Sequence, residues 1–299
     1  MKDNITIIGS SGFIGKNLKK YLSKDFICID QSLRFEKNQN LTFKSKSIIH
    51  LAGIAHDLSE KYTYDDYFKS NYQLTKQVFD EFLKSKCKIF IYVSSVKAVT
   101  DSIDGLLVES TTPNPSTNYG ITKLLAENYI KNQKVSKNKK VFILRPCMIH
   151  GPHNKGNLNL LYKLCSKNIP WPLGAYENKR SFCFIDNFSF VINQLLLNNN
   201  IKSGIYNISD DLSISTNDLI GLIFKFQKKS PKILKIPMFL LKFMVLFGDF
   251  FRLPLNSQTL KKLSESYEVS NKKIKESLSI KSMPISLKDG LELTFNYLK

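Results

Sequence analysis

The chain has 299 residues, 42% hydrophobic and 23% charged, an ordinary balance for a globular protein with one large core or a large domain carrying a smaller one. Five scattered cysteines (Cys28, Cys87, Cys147, Cys165, Cys183) form no CxxC or Cys/His spacing, which argues against a disulfide frame or zinc site and fits reduced cytosolic thiols. The net charge of +19 rests on lysines spread along the chain with only four arginines, and no basic stripe with interleaved aromatics marks a nucleic-acid binder.

Residues 4–8 are a short apolar run ending in Gly9, led into by Met1, Lys2 and Asp3 without a signal-peptide layout. A cytoplasmic protein is expected. A helical pattern follows over 13–22, and 26–29 and 47–51 are further runs of strand length. Residues 66–86 read as a helix with Tyr67, Phe68, Leu74, Val78, Phe79 and Phe82 on one face. The run 88–93 is continuously apolar and ends in Ser94 and Ser95, as a buried parallel strand should. Residues 119–132 read as helix and 141–144 as strand, stopped by Arg145 and Pro146. Strands alternating with helices predict an α/β fold with a doubly wound parallel sheet of Rossmann type over residues 1–155.

After Gly151 and Pro152 the character changes. Helical patterns at 157–167, 187–198, 216–226, 238–250, 257–264 and 271–278 predict a smaller, mostly helical lobe over 156–299. Segments near 182–185 and 205–208 are expected to return to the sheet. Residues 236–251 are strongly apolar, but Lys242, Gly248 and Asp249 interrupt them. The run falls short of the ~18 apolar residues of a spanning helix, which leaves peripheral membrane contact as the lesser alternative to a lobe helix.

Gly9, Gly12 and Gly15 form a GxxGxxG pattern placed directly after the first strand, with Phe13 and Ile14 opening the first helix. Glycine here permits a tight turn, close approach of a pyrophosphate and close helix–strand packing. The helix N-terminus then offers free N–H groups to the phosphates. Asp30 follows 15 residues after Gly15 at the end of the second strand. An acidic residue there accepts ribose hydroxyls and repels a 2′-phosphate, which favours NAD over NADP. Arg34 is the feature that favours NADP.

Tyr119 and Lys123 stand four apart at a helix start, 24 residues beyond Ser95, so phenol and ammonium share a face. An ammonium beside a phenol is expected to draw its pKa down towards the working range. Such a tyrosine can act as acid or base at an alcohol or ketone oxygen, with a serine hydroxyl bonded to the same oxygen.

The glycine pattern, Asp30, the His50-Leu51-Ala52-Gly53 stretch, Asn71, Ser94-Ser95, Tyr119 with Lys123, and the stretch from Leu144 to Pro152 occur in an order that resembles extended short-chain dehydrogenases of the NAD-dependent epimerase/dehydratase family. The resemblance implies Ser95, Tyr119 and Lys123 as catalytic residues, and Leu51, Ala52, Gly53 and Asn71 among the cofactor contacts. It also implies Asn157, Leu158 and Arg180 at the diphosphate of a nucleotide-sugar substrate, and a homodimer through the helices at 66–86 and 119–132. An arginine fork suits phosphate on its own chemistry; a salt bridge between lobes is the plainer role for Arg180. His50 reads as a packing residue, and His56, His150 and His153 lack metal-ligand spacing.

Family dehydratases resemble one another in an Asp-Glu pair where this chain has Val96 and Lys97. Without a carboxylate to move protons, 4,6-dehydration is disfavoured. The expectation is a nucleotide-sugar 4-epimerase acting on a UDP-hexose or UDP-N-acetylhexosamine. The nearly even alternative is an NAD(P)H-dependent reductase of a 4-keto-6-deoxy-N-acetylhexosamine nucleotide in capsule or O-antigen synthesis, because Ser94-Ser95-Val96-Lys97 resembles the Ser-Ser-Ile-Lys of such enzymes. A dinucleotide sensor without turnover is a remote third, since the Tyr/Lys pair is retained.

Overall fold

Alternation within the apolar runs decides which face of the sheet each side chain enters. Ile5 and Ile7 point to one face, Thr6 and Ile8 to the other. The computed structural model describes residues 2–55, 61–154, 156–251 and 257–298. Its strands are β1 (Asn4–Ile8), β2 (Ile27–Gln31), β3 (Ser47–His50), β4 (Ile89–Val93), β5 (Leu106–Leu107), β6 (Lys140–Pro146), β7 (Met148–His150), β8 (Arg180–Phe184), β9 (Gly204–Ile208), β10 (Ser213–Ile214) and β11 (Glu268–Val269). Its helices are α1 (Phe13–Leu22), α2 (Tyr64–Tyr67), α3 (Leu74–Lys84), α4 (Asn118–Lys131), α5 (Asn157–Ser166), α6 (Ile185–Leu197), α7 (Thr216–Phe226), α8 (Met238–Phe250), α9 (Ser257–Ser264), α10 (Lys272–Leu278) and α11 (Leu287–Asn296). A π-helical turn, Phe68–Gln73, joins α2 to α3.

Six strands form one parallel sheet in the order β2-β1-β3-β4-β6-β9. The order reverses between β1 and β3, the doubly wound arrangement of a Rossmann fold, which binds ligands beyond the carboxyl ends of its strands. Helices α1 and α6 pack together on one face, where Leu18, Leu22, Phe188 and Ile192 meet Ile5, Ile7 and Ile91. On the other, Val78, Phe79 and Phe82 of α3 and Ala126 and Ile130 of α4 meet Ile48, Phe90 and Tyr92.

The segment at 204–208 joins the large sheet beside β6, as expected. The segment at 182–185 does not. Residues 180–184 pair instead with β7 and β10 in a separate three-stranded sheet. The strand β6 runs on to Pro146, and after Cys147 the chain leaves the large sheet as β7, offering a new edge that β8 takes. A third core of Leu158, Tyr162, Trp171, Phe182, Leu219, Ile223 and Phe224 lies against this small sheet. The helix α11 had no counterpart in the sequence reading, yet Leu287, Leu291 and Phe295 seal that core at helical spacing.

Candidate functional site

At the end of β1 the chain turns at Gly9 with φ 89°, and its backbone runs against the 51–52 segment. A side chain on Gly9 would meet the Ala52 nitrogen at 2.8 Å, and one on Gly15 would meet the Gly9 oxygen at 2.5 Å. Both glycines therefore answer to the protein's own packing. Gly12 does not. It has φ −71°, and a Cβ there would make only an ordinary contact, 3.6 Å from the Gly9 oxygen. No side chain caps α1, and its first turn holds no acidic residue. An exposed glycine before an uncapped, acid-free helix start leaves the N–H groups open to a phosphate. These residues fit a dinucleotide.

A pair of alanine variants separates the two kinds of glycine. Gly15→Ala is expected to cost about 1–3 kcal/mol of stability through backbone overlap. Gly12→Ala should change stability by less than about 0.5 kcal/mol yet weaken dinucleotide binding tenfold or more, read by denaturation and by NAD titration.

The carboxyl end of β4 delivers two serines with different duties. Ser94 is buried and its Oγ donates to Glu127 Oε1. Ser95 caps the short turn Val96–Ala98 by accepting from the Lys97 N–H at 3.2 Å, and its side chain stands near enough to the Tyr119 phenol to draw that phenol's pKa down. Of the two, Ser95 meets Tyr119. The helix α4 starts on Thr117, whose hydroxyl accepts from the Gly120 N–H at 3.2 Å, and this sets Tyr119 and Lys123 one turn apart on the face turned to β4. The Lys123 ammonium is buried, donates to the Val93 carbonyl at 3.0 Å and lies 4.9 Å from the Tyr92 ring.

The electrostatics correct one expectation. Burial pushes the Tyr119 phenol up to about 12, opposed by the Ser95 side chain, so the ammonium one turn away does not draw it down in this arrangement. Its proton is directed at a backbone carbonyl instead. Burial in turn lowers Lys123 to about 8, opposed by the charge of Glu127. A lysine lowered in the fold destabilises it fully below about pH 8, and stability rises as pH climbs from there towards the ordinary value near 10.5. Lys123→Met should therefore raise thermal stability at pH 7. The shift corresponds to ~3 kcal/mol at most, and the lost hydrogen bond to Val93 removes ~1 kcal/mol of that. Melting curves at pH 7 and pH 10 check the sign: the gain must shrink at the higher pH.

Gly53 (φ 154°) closes the same space. A Cβ there would fall 2.5 Å from Asn71 Oδ1 and 3.4 Å from Lys123 Nζ. Asn71 is fully buried on the π turn. Its amide accepts from the Ile54 N–H at 2.8 Å and donates to the Ile54 carbonyl and to Thr122 Oγ1. It pins the 51–54 loop, with Leu51 and Ala52, between the glycine turn and Lys123. His50 is buried, shares a 2.9 Å hydrogen bond with Thr75 Oγ1 and stacks on Tyr92. Burial lowers it to about 3, a packed neutral ring.

Asp30 near the end of β2 is half exposed and pairs with Lys19 of α1; Arg34 is exposed. Arg180, Leu158, Phe182, Leu219 and Leu263 line an apolar pocket of about 30 Å³. The Arg180 Nε donates to the Glu265 carbonyl at 3.0 Å, so the arginine already ties β8 to the end of α9. Asn157 opens α5; its side chain and His56 lie outside what is described. Among the described residues no cluster of His, Cys, Asp or Glu can hold a metal ion.

Sequence reasoning missed three supports of the site. Asp101 accepts from Ser116 N and Oγ and from Thr117 N and Oγ1, clamping the turn that launches Tyr119. Gly120 packs so closely on that turn that a Cβ would lie 2.4 Å from the Lys97 oxygen. Glu127, one turn beyond Lys123, is fully buried against Arg145. The only signal for Glu127 was its spacing: residues 119, 123 and 127 mark a stripe along one helix face.

A family model described as "NAD dependent epimerase/dehydratase family" matches residues 5–209. The chain belongs to that family. It is an enzyme of the extended short-chain dehydrogenase type. A UDP-glucose 4-epimerase of Vibrio cholerae is 28% identical over 321 aligned residues, 98% of this chain and 95% of that protein. An N-acetyl-alpha-D-glucosaminyl-diphospho-ditrans,octacis-undecaprenol 4-epimerase of Escherichia coli O157:H7 is 27% identical over 255 residues, 77% of this chain and 75% of that one. The solved UDP-glucuronic acid 4-epimerase of Bacillus cereus, in complex with NAD, superposes with TM-score 0.76 at 22% identity, over 99% of this chain and 96% of that one. That likeness shares the fold.

Proposed function

We propose that this family member is an NAD-dependent 4-epimerase of a nucleotide-linked hexose or N-acetylhexosamine. The observation that carries the reading is the meeting of Ser95, Tyr119 and Lys123 at the carboxyl end of β4, with Gly53 and the glycine turn adjoining them. Relatives named as 4-epimerases of UDP-glucose and of a lipid-linked aminosugar support it.

Bound NAD would be held by the Gly9–Gly15 turn, the 51–54 loop and Lys123, and would supply a hydride acceptor and donor at the sugar carbon. Tyr119 takes the proton of the C4 hydroxyl and later returns it. Ser95 hydrogen-bonds the same oxygen, which fixes the carbinol against the phenol. Tyr119 needs a cation to reach the phenolate at neutral pH, and Lys123 is the buried cation nearest in the helix. Val96 and Lys97 put no carboxylate beside C5, so proton traffic stays at C4. Arg180 and Leu158 receive the nucleotide diphosphate end. The pocket between them, about 30 Å³, is too narrow for a base, so the nucleotide can enter there only if its walls open.

The deciding measurement is NMR of the purified protein with UDP-hexoses and UDP-N-acetylhexosamines. Formation of the C4 epimer without added cofactor is expected. A strict requirement for NAD(P)H and a 4-keto sugar overturns epimerisation in favour of reduction, the alternative that Ser94-Ser95-Val96-Lys97 suggests.

A further inference from the structure

One surface of the molecule serves neither the core nor the candidate site. The inner residues of α8, Leu241 and Val245, are buried at 0% and 4% exposure, whereas Phe239, Phe243, Leu246 and Phe250 are 71%, 70%, 65% and 81% exposed. Their spacing of four, three and four sets them in a single stripe along the outer side of the helix. Leu240 lies beside the stripe, Leu234 before it and Phe251 after it, all exposed. Scattered apolar residues on a surface are ordinary, but a continuous ridge of aromatic and aliphatic side chains marks a docking surface.

The surrounding charge identifies what docks. Between residues 225 and 251 the sequence has six lysines and one acidic residue. Lys225, Lys228, Lys232 and Lys235 are exposed in the stretch that feeds α8. The single acid, Asp249, is engaged by Ser257 through its N–H and hydroxyl. A second copy would bring the same lysines, on a chain of net charge +19, against themselves. An anionic lipid surface complements both features at once, phenylalanines towards acyl chains and lysines towards headgroups. At ~1.5 Å per residue the 13 residues of α8 fall short of a ~30 Å hydrocarbon layer, and no described helix is long and apolar enough to cross a membrane. The helix must lie along the surface.

We propose that α8 is an interfacial anchor that seats the protein on an anionic bilayer. This is independent of the epimerase reading. The helix packs on α9, and α9 contributes Leu263 to the pocket beside Arg180, so seating turns that pocket's side of the molecule towards the membrane.

Co-sedimentation of the full chain with vesicles tests this. Vesicles of phosphatidylcholine and phosphatidylglycerol in equal parts should pellet the protein, and phosphatidylcholine alone should pellet far less. Phe243→Ser with Phe250→Ser, both at exposed positions, should lower the partition coefficient more than tenfold with an unchanged circular dichroism spectrum. Lys232→Ala with Lys235→Ala should lower it by about fivefold per lysine and flatten its salt dependence. Equal pelleting of the phenylalanine variant overturns the proposal. So does a wild-type dimer in light scattering that the same two serines dissolve without any vesicle binding, which assigns the ridge to a second copy.

Discussion

Tyr119→Phe is expected to lower kcat for C4 epimerisation by about 10²–10⁴-fold while leaving NAD affinity and melting temperature close to those of the parent. The substitution removes one oxygen and keeps the ring, so the packing at the start of α4 survives. What is lost is the phenol whose pKa the Ser95 side chain lowers at the end of β4. The fold holds that phenol high, at about 12, so the residue cannot work merely by being ionised in the resting state. To take the C4 proton it must first give up its own, which requires the Lys123 charge beside the phenolate. Ser95→Ala should cost less, ~10–10² in kcat, because it deletes a hydrogen bond to that oxygen and not the proton carrier. Turnover by NMR, NAD titration and melting curves are read on the same preparations. Undiminished turnover in the phenylalanine variant would sink the assignment of Tyr119.

The strands were legible because burial on both faces demands continuous apolar runs, and 4–8, 47–50 and 89–93 are such runs. The glycine turn was legible because Gly9 and Gly15 are required by backbone contacts that few other residues satisfy. Other elements resisted. The inner face of α4 buries Thr122, Lys123 and Glu127 beside Ala126 and Ile130, so its hydrophobic pattern is weak where its function is densest. The residues at 180–184 read as a buried strand in either sheet, because pairing partners are not written in a short apolar run. Asp101 escaped notice for a similar reason. Its role depends on Ser116 and Thr117, fifteen and sixteen residues away, meeting it across a loop.

Arg145→Met is expected to destabilise the protein by about 3–5 kcal/mol, with a fall in melting temperature on the order of 5–15 °C. The Arg145 Nε lies 3.0 and 3.1 Å from the two Glu127 oxygens and its Nη2 lies 2.6 Å from one of them. Both side chains are buried, at 3% and 1% exposure, and Ser94 is the remaining donor to that carboxylate. Removing the arginine leaves a buried carboxylate whose hydrogen-bond donor among the described residues is the Ser94 hydroxyl, with Lys123 as a nearby cation. Replacing both partners, Arg145→Met with Glu127→Leu, should recover most of the loss, since two apolar groups need no counter-charge. If the double variant is no more stable than Arg145→Met, the pair is not the source of the effect. The double variant carries a second consequence. Glu127 is the charge that holds Lys123 up against burial, so its loss should lower Lys123 further below about 8 and discharge the ammonium at a lower pH. Activity that depends on that ammonium should then fall away at lower pH than in the parent. A pH–rate profile whose alkaline limb moves down, in a protein that has regained its stability, would separate tuning of Lys123 from mere support of the fold.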